Sequence, residues 1–183
     1  MLVLEQGRRL RVTSREAGIQ LLYWRAIALD SPRSRVSRAN AKGYPCDVTD
    51  EVQLDATIDA SRTDLGSPKV LVHNTVGGAF GNFMEIEPEV LNRNFRVNTM
   101  ALLHLARRLA PAMVAAGEGA IVASGNTSAL RGKANFAGFA PTKAAQRILA
   151  ESIARELGHK GVPRRVCVDR RSYRSGMDAQ TLA

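Results

Sequence analysis

The chain has 183 residues, 45% of them hydrophobic and 23% charged, which suits one domain with a real core and leaves no room for two comfortable ones. No run approaches the ~20 apolar residues that cross a bilayer, the opening MLVLEQGRRL lacks the pattern of a secretory leader, and Cys46 and Cys167 fit neither a metal spacing nor a disulfide framework; two thiols in a reducing cytoplasm, without a metal, are expected. The net charge of +9 sits in the ends: residues 1–46 carry nine Lys/Arg against three acids, residues 158–183 six against two, and the stretch between is nearly neutral. Basic ends can contact phosphates, but these show no zinc spacing, no interleaved aromatics and no nucleic-acid module, so nucleic acid is not the expected partner.

Residues 1–45 are Arg-rich and poorly patterned, and Ser31 to Lys42 reads as a polar loop. The pattern sharpens at Asp47-Val48-Thr49-Asp50-Glu51, which opens a helix with Thr49 as candidate cap and acids at its positive start. Leu54, Ile58 and Leu65 then share one face. Gly66-Ser67-Pro68 breaks the helix, and Val70-Leu71-Val72 is a short apolar run of the buried parallel-strand kind. A Gly-rich loop, Gly77 to Gly81, leads to Pro88, well placed in the first turn of a long helix. Its stripe runs Leu91, Phe95, Leu102, Leu105 and Leu109, with Pro111 inside and Gly117 as the stop. Ala120 to Ala123 is a second buried strand. A helix from about Gly138 to Leu157, with Ala145, Leu149 and Ile153 on its inner face, and a short strand Arg165 to Val168 complete the pattern. This alternation implies a parallel sheet covered by helices, with functional loops at the carboxyl ends of the strands, after Val72 and Ala123.

Two polar signals break the apolar pattern. Positions 91, 95, 98, 102, 105 and 109 form one helical stripe, and position 98 is Asn. A buried Asn must find partners or cost about 1–3 kcal/mol; it either bonds neighbouring backbone in the core or lies at a cleft floor to hold water. The second is Phe139-Ala140-Pro141-Thr142-Lys143, which sets a ring and an ammonium four residues apart on a helix start.

Taken in order, Asp47-Val48-Thr49-Asp50, Val70 to Asn74, Asn98 and Lys143 resemble the short-chain dehydrogenase/reductase family over about two-thirds of the chain. The resemblance implies an α/β, Rossmann-like doubly wound parallel sheet, incomplete at both ends, in a single domain over 1–183 with its family-like part at 46–168. It implies an NAD- or NADP-dependent oxidoreductase acting on a small carbonyl or alcohol, and self-association through the long helices. In that family Asp47 would lie near the adenine with Val48 beside it. Asn74 would be the kept asparagine of the Asn-Asn-Ala-Gly signature, which here reads His73-Asn74-Thr75-Val76. Asn98 would support a relay water, and Lys143 would hold the nicotinamide ribose. The glycine loop is echoed only by Thr13 to Gln20, with Thr13 and Gly18 matching, and Gly18 to Asp47 leaves little room for the usual helix, strand and helix.

The family's catalytic tyrosine falls on Phe139 and its serine on Asn126, with Ser124, Thr127 and Ser128 out of register. Losing a general acid/base costs ~10²–10⁴ in rate, so activity is expected to be weak or lost. The alternative is a non-catalytic dinucleotide-binding or protein-interaction pseudoenzyme. Both ends, Arg- and Ser-rich and without the family's closing motifs, fit a reading frame shifted outside the middle.

Overall fold

The computed structural model describes residues 2–5, 19–24, 41–159 and 164–167, with side chains described from 43 to 159. Its strands are β1 (Leu2–Glu5), β2 (Ile19–Trp24), β3 (Ala41–Cys46), β4 (Val70–Asn74), β5 (Ala120–Ser124) and β6 (Arg164–Cys167). They form one sheet in the order β3-β2-β1-β4-β5-β6, every neighbouring pair parallel. The direction of strand addition reverses between β1 and β4, which makes that gap the topological switch point. The stretch from Gly18 to Asp47, where little room was expected for a helix, a strand and a helix, holds two strands, β2 and β3, which pair over six residues each.

Three helical crossovers follow: α1 (Glu51–Leu65), then α2 (Pro88–Phe95) running through a wide turn into α3 (Ala101–Ala116), then α4 (Ala140–Gly158). All three connections step the same way across the sheet, so right-handed crossovers put these helices on one face. The core agrees. Leu54 and Ile58 of α1, Leu71 of β4, and Val97, Leu105 and Leu109 of the long helical segment form one buried cluster. Leu102, Ala123 and Ala150 form a second, between α3, β5 and α4. Each fully buried Leu or Ile contributes roughly 1.5–3 kcal/mol.

Local chemistry sets the element ends. The cap of α1 is Asp50, not Thr49: its carboxylate accepts from the Val52 and Gln53 amides, an arrangement worth about 1 kcal/mol. The Thr49 hydroxyl and amide instead both donate to Asp47 Oδ1, at 2.7 and 2.9 Å. Pro88 opens α2. Gly117, left-handed at φ 64°, closes α3, a conformation that costs a glycine nothing. Phe95 is 39% exposed and does not join the stripe below it. In α4 the buried positions are Ala140, Thr142, Lys143, Gln146 and Ala150, while Ala145, Leu149 and Ile153 are half-buried beside them.

Between α2 and α3, Arg96–Met100 is a single π turn. The Ala101 amide donates to the Arg96 carbonyl, and the widened turn offers the carbonyls of Val97 and Asn98 to side chains of β4 and the loop after it. Such turns concentrate at functional sites.

Candidate active site

The loops after β4 and β5 and the start of α4 meet at the carboxyl edge of the sheet. Along β4 alternate residues are buried, and the helix-facing series Leu71, His73, Thr75 turns polar as the strand ends. His73 is fully buried. Its Nε2 lies 3.0 Å from the Asn98 carbonyl and 3.1 Å from Thr75 Oγ1, and the Thr75 hydroxyl donates to the Val97 carbonyl at 3.0 Å. Since a carbonyl can only accept, the ring proton sits on Nε2. Nδ1 is then a bare acceptor, buried without a hydrogen-bond partner among the described residues. Burial, and next the nearby charge of Lys143, push the His73 pKa down to about 3, so the ring is neutral.

Asn98 is fully buried and its amide is fully used. Oδ1 accepts from the Gly77 amide at 2.8 Å, and Nδ2 donates to the Gly77 carbonyl at 2.7 Å and to Thr142 Oγ1 at 2.8 Å. The Thr142 hydroxyl in turn donates to the Phe139 carbonyl at 2.8 Å. One side chain thereby ties the loop after β4 to the first turn of α4. Asn94 adds a parallel tie, its Nδ2 donating to the Gly138 carbonyl at 2.8 Å. A Cβ on Gly77 would stand 2.9 Å from Asn94 Oδ1, and one on Gly138 would stand 2.7 Å from the Ala79 carbonyl oxygen, so glycine at 77 lets the loop after β4 close on α2 and glycine at 138 lets the two loops close on each other.

Lys143 is 3% exposed. Its Nζ donates to Gln146 Oε1 at 2.7 Å and reaches the carbonyls of Thr75 and Ser124 at 3.4 Å. Burial lowers its pKa to about 8. Ser124, the last residue of β5, donates its hydroxyl to Asn74 Oδ1 at 2.6 Å. Asn126 caps a short 3₁₀ turn, Thr127–Ala129, with Oδ1 accepting from the amide and hydroxyl of Ser128 at 2.9 and 2.8 Å. Its Nδ2 is thus the group left to donate.

Phe139 is 5% exposed and belongs to an apolar knot with Phe136, Ala140 and Val76. The ring of Phe80 stands edge-on to Phe136 at 5.1 Å and tilted to Phe139 at 5.3 Å. A Cβ on Gly78 would meet the Phe139 ring at 2.9 Å, so the ring lies against bare backbone.

Of the residues singled out from the sequence, Asn74, Asn98, Asn126, Phe139 and Lys143 lie at this edge on the end of β4, the wide turn, the loop after β5 and the start of α4. Asp47 and Val48 follow β3 at the same edge of the parallel sheet, with Val48 buried. Thr13 and Gly18 lie outside the described residues. Sequence reasoning gave no role to His73, Thr75, Thr142 or Gln146. The available signal was a polar residue at a position the apolar pattern marks as buried: His73 within VLVHN, and Gln146 three residues after Lys143. Among the described residues no group of His, Cys, Asp and Glu could hold a metal ion, and no helix is long and apolar enough to cross a membrane.

A parallel sheet in this strand order, with polar loops at the carboxyl edge beside the switch point, defines a Rossmann-like protein. The model of the family described as enoyl-(acyl carrier protein) reductase matches residues 11–167. The chain belongs to the short-chain dehydrogenase/reductase family of oxidoreductases. It is 31% identical over 117 residues to the 7alpha-hydroxysteroid dehydrogenase of Escherichia coli, a match covering 64% of this chain and 46% of that enzyme, so it spans about half the length of such relatives. Among solved structures it resembles a short-chain dehydrogenase from Streptomyces avermitilis, with a TM-score of 0.72 and 26% identity over 83% of this chain and 56% of that one. It also resembles a metagenomic short-chain oxidoreductase in complex with NADP, with a TM-score of 0.70 and 26% identity over 82% of this chain and 70% of that one.

Proposed function

We propose that the chain binds NAD or NADP as a short-chain oxidoreductase does, and that hydride transfer to or from a small carbonyl or alcohol is weak or lost. The observation that carries the reading is Lys143, an ammonium buried at the shared carboxyl edge of β4 and β5 between the Thr75 and Ser124 carbonyls. The donor set at this edge fits a dinucleotide. Asp47 and Val48 would lie at the adenine, Asn74 and Lys143 at the nicotinamide ribose, and Asn126 Nδ2 would donate to a substrate oxygen. A bound nicotinamide would supply or take the hydride. The proton is the missing part, because Phe139 has none to give where the family carries a tyrosine.

One observation favours the second reading, a non-catalytic dinucleotide-binding or interaction protein: Phe139 is a fitted member of the Phe80–Phe136–Phe139 knot and not a lone substitution. The exposed Val90, Phe95 and Ile148 on α2 and α4 suit self-association through these helices, and a reducing cytoplasm suits the buried, unbridged Cys46 thiol.

Calorimetric titration with NADH and NADPH is the test. Saturable one-to-one binding at micromolar concentration is expected. A folded chain that binds neither would discard the dinucleotide reading and leave the interaction protein.

A further inference from the structure

Gln146 is 2% exposed on α4 and shares a helix face with Lys143, three residues earlier. Its amide can be oriented in only one way. An ammonium has no acceptor and a carbonyl no donor, so Oε1 must face Lys143 Nζ, at 2.7 Å, and Nε2 the Ser124 carbonyl, at 3.1 Å. That carbonyl also receives Nζ at 3.4 Å, which closes a triangle of Lys143, Gln146 and the end of β5. The same Ser124 holds Asn74 through its hydroxyl.

The surroundings make this contact decisive for the charge. Burial works against the ammonium, and its hydrogen-bond partners are neutral oxygens: two carbonyls at 3.4 Å and the Gln146 oxygen at 2.7 Å. His73, facing from β4, is neutral and offers no counter-charge. Arg147, the next residue after Gln146, is a like charge turned to Glu151. The wide turn meets the start of α4 with the uncharged Asn98 and Thr99, both bonded to Thr142, and no described carboxylate is bonded to Nζ. Among the described residues the Gln146 oxygen is the nearest acceptor and the only one on a side chain, and it is therefore the strongest single counterweight to desolvation.

We propose that Gln146 is a positioning residue for Lys143, holding its ammonium against the end of β5 and stabilising its charge inside the protein. The consequence for cofactor binding rests on the reading of Lys143 given above; the positioning itself does not.

The experiment follows the Cε resonance of Lys143 against pH in cofactor-free protein carrying ¹³C-lysine. The chain has five lysines, and Lys143 is assigned by its loss in Lys143→Arg. Gln146→Leu keeps the volume and removes the acceptor. Alanine would enlarge the cavity that Gly125, Ala129 and Ala150 line beside the pair. Leucine is expected to lower the midpoint of Lys143 by about one pKa unit or more, and Gln146→Glu to raise it by at least as much. A folded leucine variant titrating within a few tenths of the parent overturns the proposal. If leucine does not fold, a glutamate variant without an upward shift overturns it. NADPH affinity against pH separates the two readings: its alkaline limb moves with the Lys143 midpoint, whereas a parent that binds no NADPH refutes the cofactor reading and leaves the titration to decide the role of Gln146.

Discussion

Position 139 decides what chemistry the site retains. The ring is pinned by the bare backbone of Gly78 on one side and the Phe80 and Phe136 rings on another. The residue after it starts α4, and Lys143 follows one turn on. Phe139→Tyr adds a hydroxyl without changing the ring, so the knot should survive. If Asn126 Nδ2 suffices to polarise a carbonyl, returning the acid/base should raise NADPH-dependent carbonyl reduction by ~10² or more. Steady-state rates with simple ketones and aldehydes check this. An unchanged rate in a variant that still binds NADPH would show that Asn126 does not replace the family's serine. The substitution itself was legible from spacing alone. Its packing was not, because Gly78 and Phe80 lie 61 and 59 residues before it and only Phe136, whose carbonyl accepts the Phe139 amide at 3.0 Å, is local.

At the scale of elements, the wide turn Arg96–Met100 is the hub. It presents two main-chain carbonyls to Thr75 and His73 and two side chains, Asn98 to Gly77 and Thr142 and Thr99 to the Thr142 carbonyl. A broken apolar stripe was enough to mark Asn98 as buried. The sequence could not distinguish its use, whether for water or for backbone, because the partner depends on where the loop after β4 closes. In the structure the amide holds backbone, and the Asn98 carbonyl is taken by His73. Asn98→Ala removes three hydrogen bonds and leaves both main-chain groups of Gly77 short of a partner. We expect a loss of about 2–3 kcal/mol, read by urea denaturation, together with faster hydrogen exchange at the Gly77 amide. A loss below about 0.5 kcal/mol, the usual range of surface changes, would show that the loop closes without Asn98.

For the molecule as a whole, β4 and β5 were readable as short apolar runs between turn signals and β6 as a short strand, while β1 (LVLE) and β2 (IQLLYW), apolar as they are, went unmarked. β2 and β3 are set among Arg-rich residues, and pairing in a parallel sheet is non-local, so short-range pattern did not mark β2 or place β3 beside it. His73 shows how the assembled layers act together. It is fully enclosed only once the helical layer covers β4, and it is then held neutral with its pKa near 3. An unfolded histidine takes a proton below about 6.5. Between those two values the unfolded chain binds the extra proton, so folding stability falls as pH drops from about 6.5 towards 3, by at most ~1.4 kcal/mol per pH unit from this one group. Carboxylates add their own acid dependence, so the comparison must be with His73→Asn, which titrates nowhere in that window. Urea midpoints of the two proteins should converge as pH falls from 7 to 4, the parent losing stability faster. Parallel curves would mean that protonation of His73 is accommodated in the folded sheet, and its burial would then not make the protein acid-sensitive.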